Sequence, residues 1–229
     1  MSESNLLHYF PLSIYCVKLG LTDEQRNEII KDIDRSVAKT DETNDISTWT
    51  GDVHGYHELH NSIPCIPLFN SIGKHVRKYI EELSINTSTF DYYYTRSWAT
   101  KQIRGRQIDY HRHEQSHISL VYYPKVPKDS GAFYIATDNH QNEIISGLFR
   151  KEYYEKGTIK VGAPHTMAEI PVNVEDDTLI IFPSKTAHRT GLSNTDEPRY
   201  SIASDLLCVL RSANKYEIGL PPVHTWKKA

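Results

Sequence analysis

Cysteine is scarce and scattered. The 229-residue chain has three, Cys16, Cys65 and Cys208, with no Cys-x-x-Cys pair among them. That excludes a disulfide scaffold and a thiolate zinc site, and three isolated thiols read as reduced, packed groups of a cytoplasmic protein. No apolar run approaches the ~18 residues of a membrane span. The opening Met1-Ser2-Glu3-Ser4-Asn5 lacks the basic stretch of a secretion signal, so a soluble chain is expected. Charge of one sign is missing too: 26 Lys and Arg against 29 Asp and Glu leave a net charge of −3. There is no global pull toward nucleic acid or an anionic membrane. An alternating strand–helix–strand rhythm is also absent, which argues against a doubly wound parallel sheet.

What the chain has is tyrosine, with 15 residues, and 12 histidines. A 38% hydrophobic content over this length can bury a full core, so one domain is expected over 1–229. Within it, 1–88 reads as a helical flank and 89–211 as the β core. Strand composition covers Tyr9 to Val17. Thr22 and Gln25 bracket a helix start, and Ile29, Ile30, Ile33 and Val37 give the helix a packed face. Pro67 opens a second helix with Leu68, Ile72, Val76, Tyr79 and Leu83 as its buried stripe, and His75 beside that stripe reads as a packed or edge histidine.

From Phe90 the texture turns to short aromatic and β-branched segments: 90–103, 118–126, 132–137, 178–182 and 200–210. About eight or more such elements favour an antiparallel sandwich or barrel. Residues 138–169 read as one long polar insertion of the lid or binding-loop kind, and the tail after Arg211 as loosely held.

The chemistry concentrates in Ile108-Asp109-Tyr110-His111-Arg112-His113 and its later counterpart Phe182-Pro183-Ser184, His188, Arg199-Tyr200-Ser201. Alternate strand residues face one side, which would put Asp109, His111 and His113 on one wall. A third imidazole, His188, arrives from a second segment. Imidazoles from two segments suit a metal site with open positions, though they serve iron, copper and zinc alike. The competing reading is solvated surface histidines. Arg199 and Ser201 share a strand face, and arginine's planar fork matches a carboxylate. Beside a metal, that pair would hold the far end of a chelated dicarboxylic acid; elsewhere it is a surface arginine and a strand serine. His54, His57 and His60, three apart, are a weaker zinc candidate than a polar rim. Arg96, Lys101, Arg104, Arg106 and Arg112 form a basic run, a solvated strand face or an attractor for acidic substrates. Trp98 reads as core.

Taken together, these motifs resemble the Fe(II)- and 2-oxoglutarate-dependent oxygenase superfamily. More narrowly, they are similar to a phage and bacterial group with a His-x-His followed by Ser-Gly-Val-Tyr-Tyr, a Phe-Pro-Ser…His turn and an Arg-x-Ser strand. Here these are His111-Arg112-His113, Ser119-Leu120-Val121-Tyr122-Tyr123, Phe182-Pro183-Ser184…His188 and Arg199-Tyr200-Ser201. The resemblance implies a double-stranded β-helix, a cupin-like jelly-roll. It also implies Fe(II) on His111, His188 and a third ligand, and 2-oxoglutarate anchored by Arg199 with Ser201 and Tyr123 as supporting donors. The reaction it implies consumes O2 and releases succinate and CO2 as an unactivated C–H bond is oxidised, most simply by hydroxylation.

The third ligand departs from the superfamily's usual His-x-Asp or His-x-Glu. His113 ranks first, Asp109 is the alternative or an orienting partner of His111, and an exogenous anion completing a two-histidine site is a third option. Leu120 and Asp177 stand where the group has glycines, which suggests altered pocket walls. The implied substrate is a small molecule or a peptide or protein side chain, nucleic acid being disfavoured, and the barrel edges and helices leave an oligomer open. Two other readings remain: a non-catalytic cupin-like metal-binding or sensing module, and a jelly-roll interaction protein with vestigial histidines.

Overall fold

The segment Arg199-Tyr200-Ser201-Ile202-Ala203-Ser204-Asp205-Leu206 alternates polar and apolar side chains, and a strand sends alternate residues to opposite faces. In the computed structural model, which describes residues 8, 10–37, 48–49, 58–212 and 218–229, this alternation divides the molecule. Tyr200, Ile202 and Leu206 join the core beneath the helices. Arg199, Ser201, Ala203 and Asp205 take the other face.

The described elements run β1 (Tyr15–Lys18), α1 (Asp23–Val37), β2 (Thr48–Trp49), α2 (Ile66–Glu82), β3 (Phe90–Gln102), β4 (Ile118–Lys125) and β5 (Phe133–Ala136). They continue with α3 (Lys151–Glu155), β6 (Glu169–Val172), β7 (Thr178–Pro183), β8 (Ala187–Thr190) and β9 (Arg199–Leu210). The strands form a six-stranded sheet in the order β1-β7-β4-β9-β3-β2 and a three-stranded sheet β6-β5-β8, every pairing antiparallel. This is the mainly β, two-sheet jelly-roll that the sequence predicts.

Two cores follow from the alternation. Leu120 and Tyr122 of β4 and Leu179 and Ile181 of β7 pack against Ile29 and Ile33 of α1 and Leu68, Ile72 and Val76 of α2. Each fully buried aliphatic side chain contributes about 1.5–3 kcal/mol, so this face supplies much of the scaffold's stability. Val121, Tyr123, Ile180 and Phe182 point the opposite way and meet Phe133 and Ile135 of the small sheet. The space between the sheets is the interior in which polar side chains of β9 end.

The helix starts are as expected. Thr22 and Gln25 cap α1 reciprocally, Thr22 N–H to Gln25 Oε1 at 2.9 Å and Gln25 N–H to Thr22 Oγ1 at 3.3 Å. Pro67 sits in the first turn of α2. Leu83, expected in its buried stripe, is 37% exposed because the helix has ended at Glu82. His75 Nδ1 lies in hydrogen-bond contact with the Tyr15 hydroxyl at 2.9 Å.

Several expectations are corrected. Within the first 88 residues, the strand composition of Tyr9 to Val17 corresponds to β1, shifted to Tyr15–Lys18 and paired with β7, and the short β2 pairs with β3. The 138–169 stretch holds α3 and runs into β6 at Glu169. The tail is pinned where Leu210 N–H donates to Leu220 O at 2.9 Å. Cys65 is buried, whereas Cys16 is exposed. Leu120 belongs to the helix-side core and does not shape the barrel interior. Neither does Asp177. It holds φ +67°, the left-handed region that a glycine would fill. Its carboxylate compensates by accepting from Gly20 N–H at 2.6 Å, Leu21 N–H at 3.2 Å and Tyr122 O–H at 2.9 Å. Both departures from glycine therefore act on the scaffold. Among the described residues, no helix is long and apolar enough to cross a membrane.

Candidate metal centre and acid-binding pocket

The site begins with one backbone contact. His111 N–H donates to His188 O and His188 N–H to His111 O, both at 3.1 Å, so the two residues oppose each other directly as an antiparallel pair. Opposed residues share a face, and their rings lie 4.2 Å apart between centroids. His113 is brought in by its own N–H, which donates to Ser184 O at 3.0 Å. Its ring lies 5.2 Å from both other imidazoles. One nitrogen from each of His111, His113 and His188 lies within 4.8 Å of the others.

Hydrogen bonds decide which nitrogen. His111 Nδ1 faces Asp109 O at 2.8 Å, and His188 Nδ1 faces Thr186 O at 2.9 Å. His113 Nδ1 faces the Asp205 carboxylate at 2.5 Å. Each acceptor requires the proton on Nδ1, so all three Nε2 lone pairs are left for a cation. Phe133 and Phe182 wall the His188 ring, with centroids at 5.6 and 4.9 Å. Burial there pushes the His188 pKa down to about 3, assisted by the neighbouring imidazoles. Burial lowers that of His111 as well. Neutral rings are what a metal needs. His188 is 3% exposed and His113 8%, while His111 is half-buried and marks the open side.

Asp109 is exposed, and its carboxylate accepts from Gln107 Nε2 at 3.0 Å. Only its carbonyl touches His111. The 108–113 segment is an irregular stretch tied to β8 and not the regular strand that the alternation predicts, which is why Asp109 falls outside the cluster.

Further along the interior, Arg199 is 2% exposed. Its guanidinium donates to Gly131 O and to Gln102 Oε1, and it lies over the Tyr123 ring, 5.6 Å from the centroid. Gln102 stands opposite Arg199 in the β3–β9 register. Its amide nitrogen donates to Arg106 O and Gly191 O, both at 2.8 Å, which leaves its oxygen for the arginine. Gly131 permits the approach: a Cβ there would lie 2.2 Å from Gly191 O. Among the described residues no carboxylate pairs with Arg199, and its Nε has no acceptor. Burial lowers its pKa, as for a cation short of counter-charge. Ser201 lies on the same strand face, opposite Thr100, and Tyr123, 1% exposed, keeps its phenol neutral with a pKa raised to about 12 by burial. A buried cation without an anion fits the far carboxylate of a dicarboxylic acid.

The sequence reading passed over Asp205, which is wholly buried behind His113. A signal existed: the Arg199 and Ser201 alternation continues to Asp205 in the midst of an apolar strand. Of the other candidates, His54 and His57 lie outside the described residues. His60 packs between Phe69 and Tyr94 and bonds Ser97 Oγ at 2.7 Å. The basic run is largely neutralised, since Lys101 pairs with Asp34, Arg104 with Asp196 and Arg112 with Asp138. Trp98 is 8% exposed with its ring 5.4 Å from His113.

Residues 96–205 match the family model described as "Putative 2OG-Fe(II) oxygenase". That stretch belongs to the 2OG-Fe(II) oxygenases. The match spans His111, His113, His188 and Arg199. Solved structures share the double-stranded β-helix at low identity. The α-ketoglutarate-dependent epimerase SnoN of nogalamycin biosynthesis is 12% identical with a TM-score of 0.58, covering 89% of this chain and 82% of its own. A Pseudomonas putida prolyl-4-hydroxylase is 12% identical at 0.52, covering 85% and 92%. HygX from Streptomyces hygroscopicus, crystallised with nickel and 2-oxoglutarate, is 12% identical at 0.53, covering 92% of both chains. No curated protein matches the sequence.

Proposed function

We propose that this chain is an Fe(II)- and 2-oxoglutarate-dependent dioxygenase that hydroxylates an unactivated C–H bond, with release of succinate and CO2. The observation that carries the reading is the convergence of three imidazoles, each with Nδ1 occupied and Nε2 free, in an interior that also holds an unpaired guanidinium. His111, His113 and His188 are assigned as the metal ligands, and Arg199, Ser201 and Tyr123 as the grip on the distal carboxylate of 2-oxoglutarate. When bound, the iron and the keto acid supply the oxidising chemistry with O2. The protein's part is to orient and to exclude water. Phe133, Phe182 and Trp98 keep the imidazoles dry, and Gln102 and Gly131 fix the orientation of the planar guanidinium toward a carboxylate.

The family and fold do not choose the substrate or outcome, since the same architecture carries an epimerase and a prolyl hydroxylase. The substrate is proposed to be a small molecule or a peptide or protein side chain, because three of the five residues in the basic run that would attract polyanions, Lys101, Arg104 and Arg112, are ion-paired. The three unpaired thiols fit the reducing cytoplasm. Anaerobic addition of Fe(II) and 2-oxoglutarate should give a visible metal-to-ligand charge-transfer band, and admission of air should release succinate even without substrate. His188→Ala and Arg199→Ala should abolish both. Absence of the band in the wild-type protein would sink the assignment.

A further inference from the structure

We propose that Asp205 is a positioning residue that supplies, through His113, the negative charge that a carboxylate ligand would otherwise place on the metal. This rests on the reading of His111, His113 and His188 as metal ligands.

Asp205 lies opposite Ser119 in the β4–β9 register and is 0% exposed. Its Oδ1 accepts hydrogen bonds from His113 Nδ1–H at 2.5 Å and from the Ser119 hydroxyl at 2.9 Å. Ser119 Oγ lies 2.9 Å from Ser184 Oγ, which lies 2.8 Å from Ser116 Oγ. Each hydroxyl has one proton, so a chain running Ser116 to Ser184 to Ser119 and ending on the carboxylate uses all of them. β3 is bulged at Thr95, opposite this point, and the Thr95 hydroxyl donates to Asp205 O at 3.2 Å. Bulges re-aim a strand locally, and this one fastens the backbone that carries the carboxylate.

These contacts orient Asp205 without neutralising it. Among the described residues no lysine or arginine pairs with it, and its Oδ2 has no hydrogen-bond partner. A buried carboxylate without counter-charge is unfavourable. The group that reaches it is an imidazole whose other nitrogen opens on the cluster. A divalent cation at Nε2 is the missing counter-charge. The arithmetic then matches the common ligand set: two charges on the ion, three neutral imidazoles and one carboxylate leave a net +1, as with two histidines and a bound Asp or Glu. The carboxylate also raises the donor strength of the ring and fixes its tautomer.

The test compares Ni(II) and Co(II) affinity, by competition with a chromogenic chelator, with urea unfolding of the metal-free protein. Asp205→Asn keeps an acceptor for His113 and removes the charge. It should bind metal about 10–100-fold more weakly while the metal-free form is at least as stable as wild type. A merely structural aspartate would give the reverse, a destabilised apo-protein with unchanged affinity, and that result overturns the proposal. His113→Asp combined with Asp205→Asn moves the carboxylate onto the ion and should recover affinity to within a few-fold of wild type. Should Asp205→Asn alone not fold, this double variant decides: recovered affinity supports the proposal, and a folded double variant without it counts against. A wild-type protein that takes up neither ion removes the metal reading itself, and the Asp205 role with it. Equal affinity in wild type and Asp205→Asn removes only the latter.

Discussion

Arg199 and Asp205 project from the same face of β9, six residues apart, and neither is paired with a charged side chain of fixed opposite sign among the described residues. At a strand rise of about 3.3 Å per residue their backbones are separated by roughly 20 Å. One strand face thus offers a cationic end and an anionic end inside a low-dielectric barrel, where unpaired charge is costly. A metal with a dicarboxylic keto acid complements both.

Stability should therefore depend on the two ligands together. Saturating Ni(II) at a hundred times its dissociation constant should add about 2.7 kcal/mol, or several degrees in Tm for a chain of this size. 2-Oxoglutarate should add a further increment only when the metal is present. Differential scanning fluorimetry with each ligand alone and with both checks this, and a keto-acid shift that ignores the metal contradicts it.

The imidazoles predict the direction of the apo-protein's pH response. His188 titrates near 3 in the folded state against 6.5 ordinarily, so the unfolded chain binds more protons between those values. Stability is then fully present above about pH 6.5 and declines as the pH falls toward 3. The ceiling on this single-group loss is roughly 5 kcal/mol. The depressed His111 acts in the same sense. Urea midpoints of wild type and His188→Gln across this range should converge in acid, the variant showing the flatter profile.

Gly131→Ala should be severe and Gly20→Ala mild. Both glycines have positive φ, +84° and +78°, but a Cβ at 131 strikes Gly191 O at 2.2 Å whereas one at 20 meets nothing within 4 Å. The left-handed penalty common to both is about 1 kcal/mol. The displaced backbone should bring the cost at 131 to about 3 kcal/mol or more, and its carbonyl should then no longer meet Arg199. The readouts are urea unfolding and the KM for 2-oxoglutarate.

Asp177→Ala should destabilise by about 3 kcal/mol, since two backbone N–H groups and the Tyr122 hydroxyl lose their acceptor. Asp177→Asn, which keeps one acceptor oxygen and tolerates positive φ, should lose about 1 kcal/mol. Ni(II) affinity should be the same in both, because Asp177 serves the α1 side of the sheet.

The sequence revealed the sheet through alternation and the helices through caps and apolar spacing, which are local signals. His111, His113, His188 and Arg199 were legible because their spacing in the chain repeats a known pattern. What stayed hidden was long-range. Strand composition marks Tyr9 to Val17, but nothing local says that Tyr15–Lys18 pairs with the edge of β7. Asp205 acquires meaning only when β4 lays Ser119 opposite it. Asp177 looked like a pocket residue because its position, and not its direction, was visible. The expected role of Asp109 rested on a straight strand, and the chain there is held by β8 in another shape.

Scaffold and chemistry are interleaved letter by letter along β9. A one-residue insertion before Tyr200 would invert the strand beyond it, turning Ser201 and Asp205 under the helices and delivering Ile202 and Leu206 to the barrel. An added residue in this strand would have to be absorbed by a bulge, as Thr95 is in β3, to keep the two faces in place.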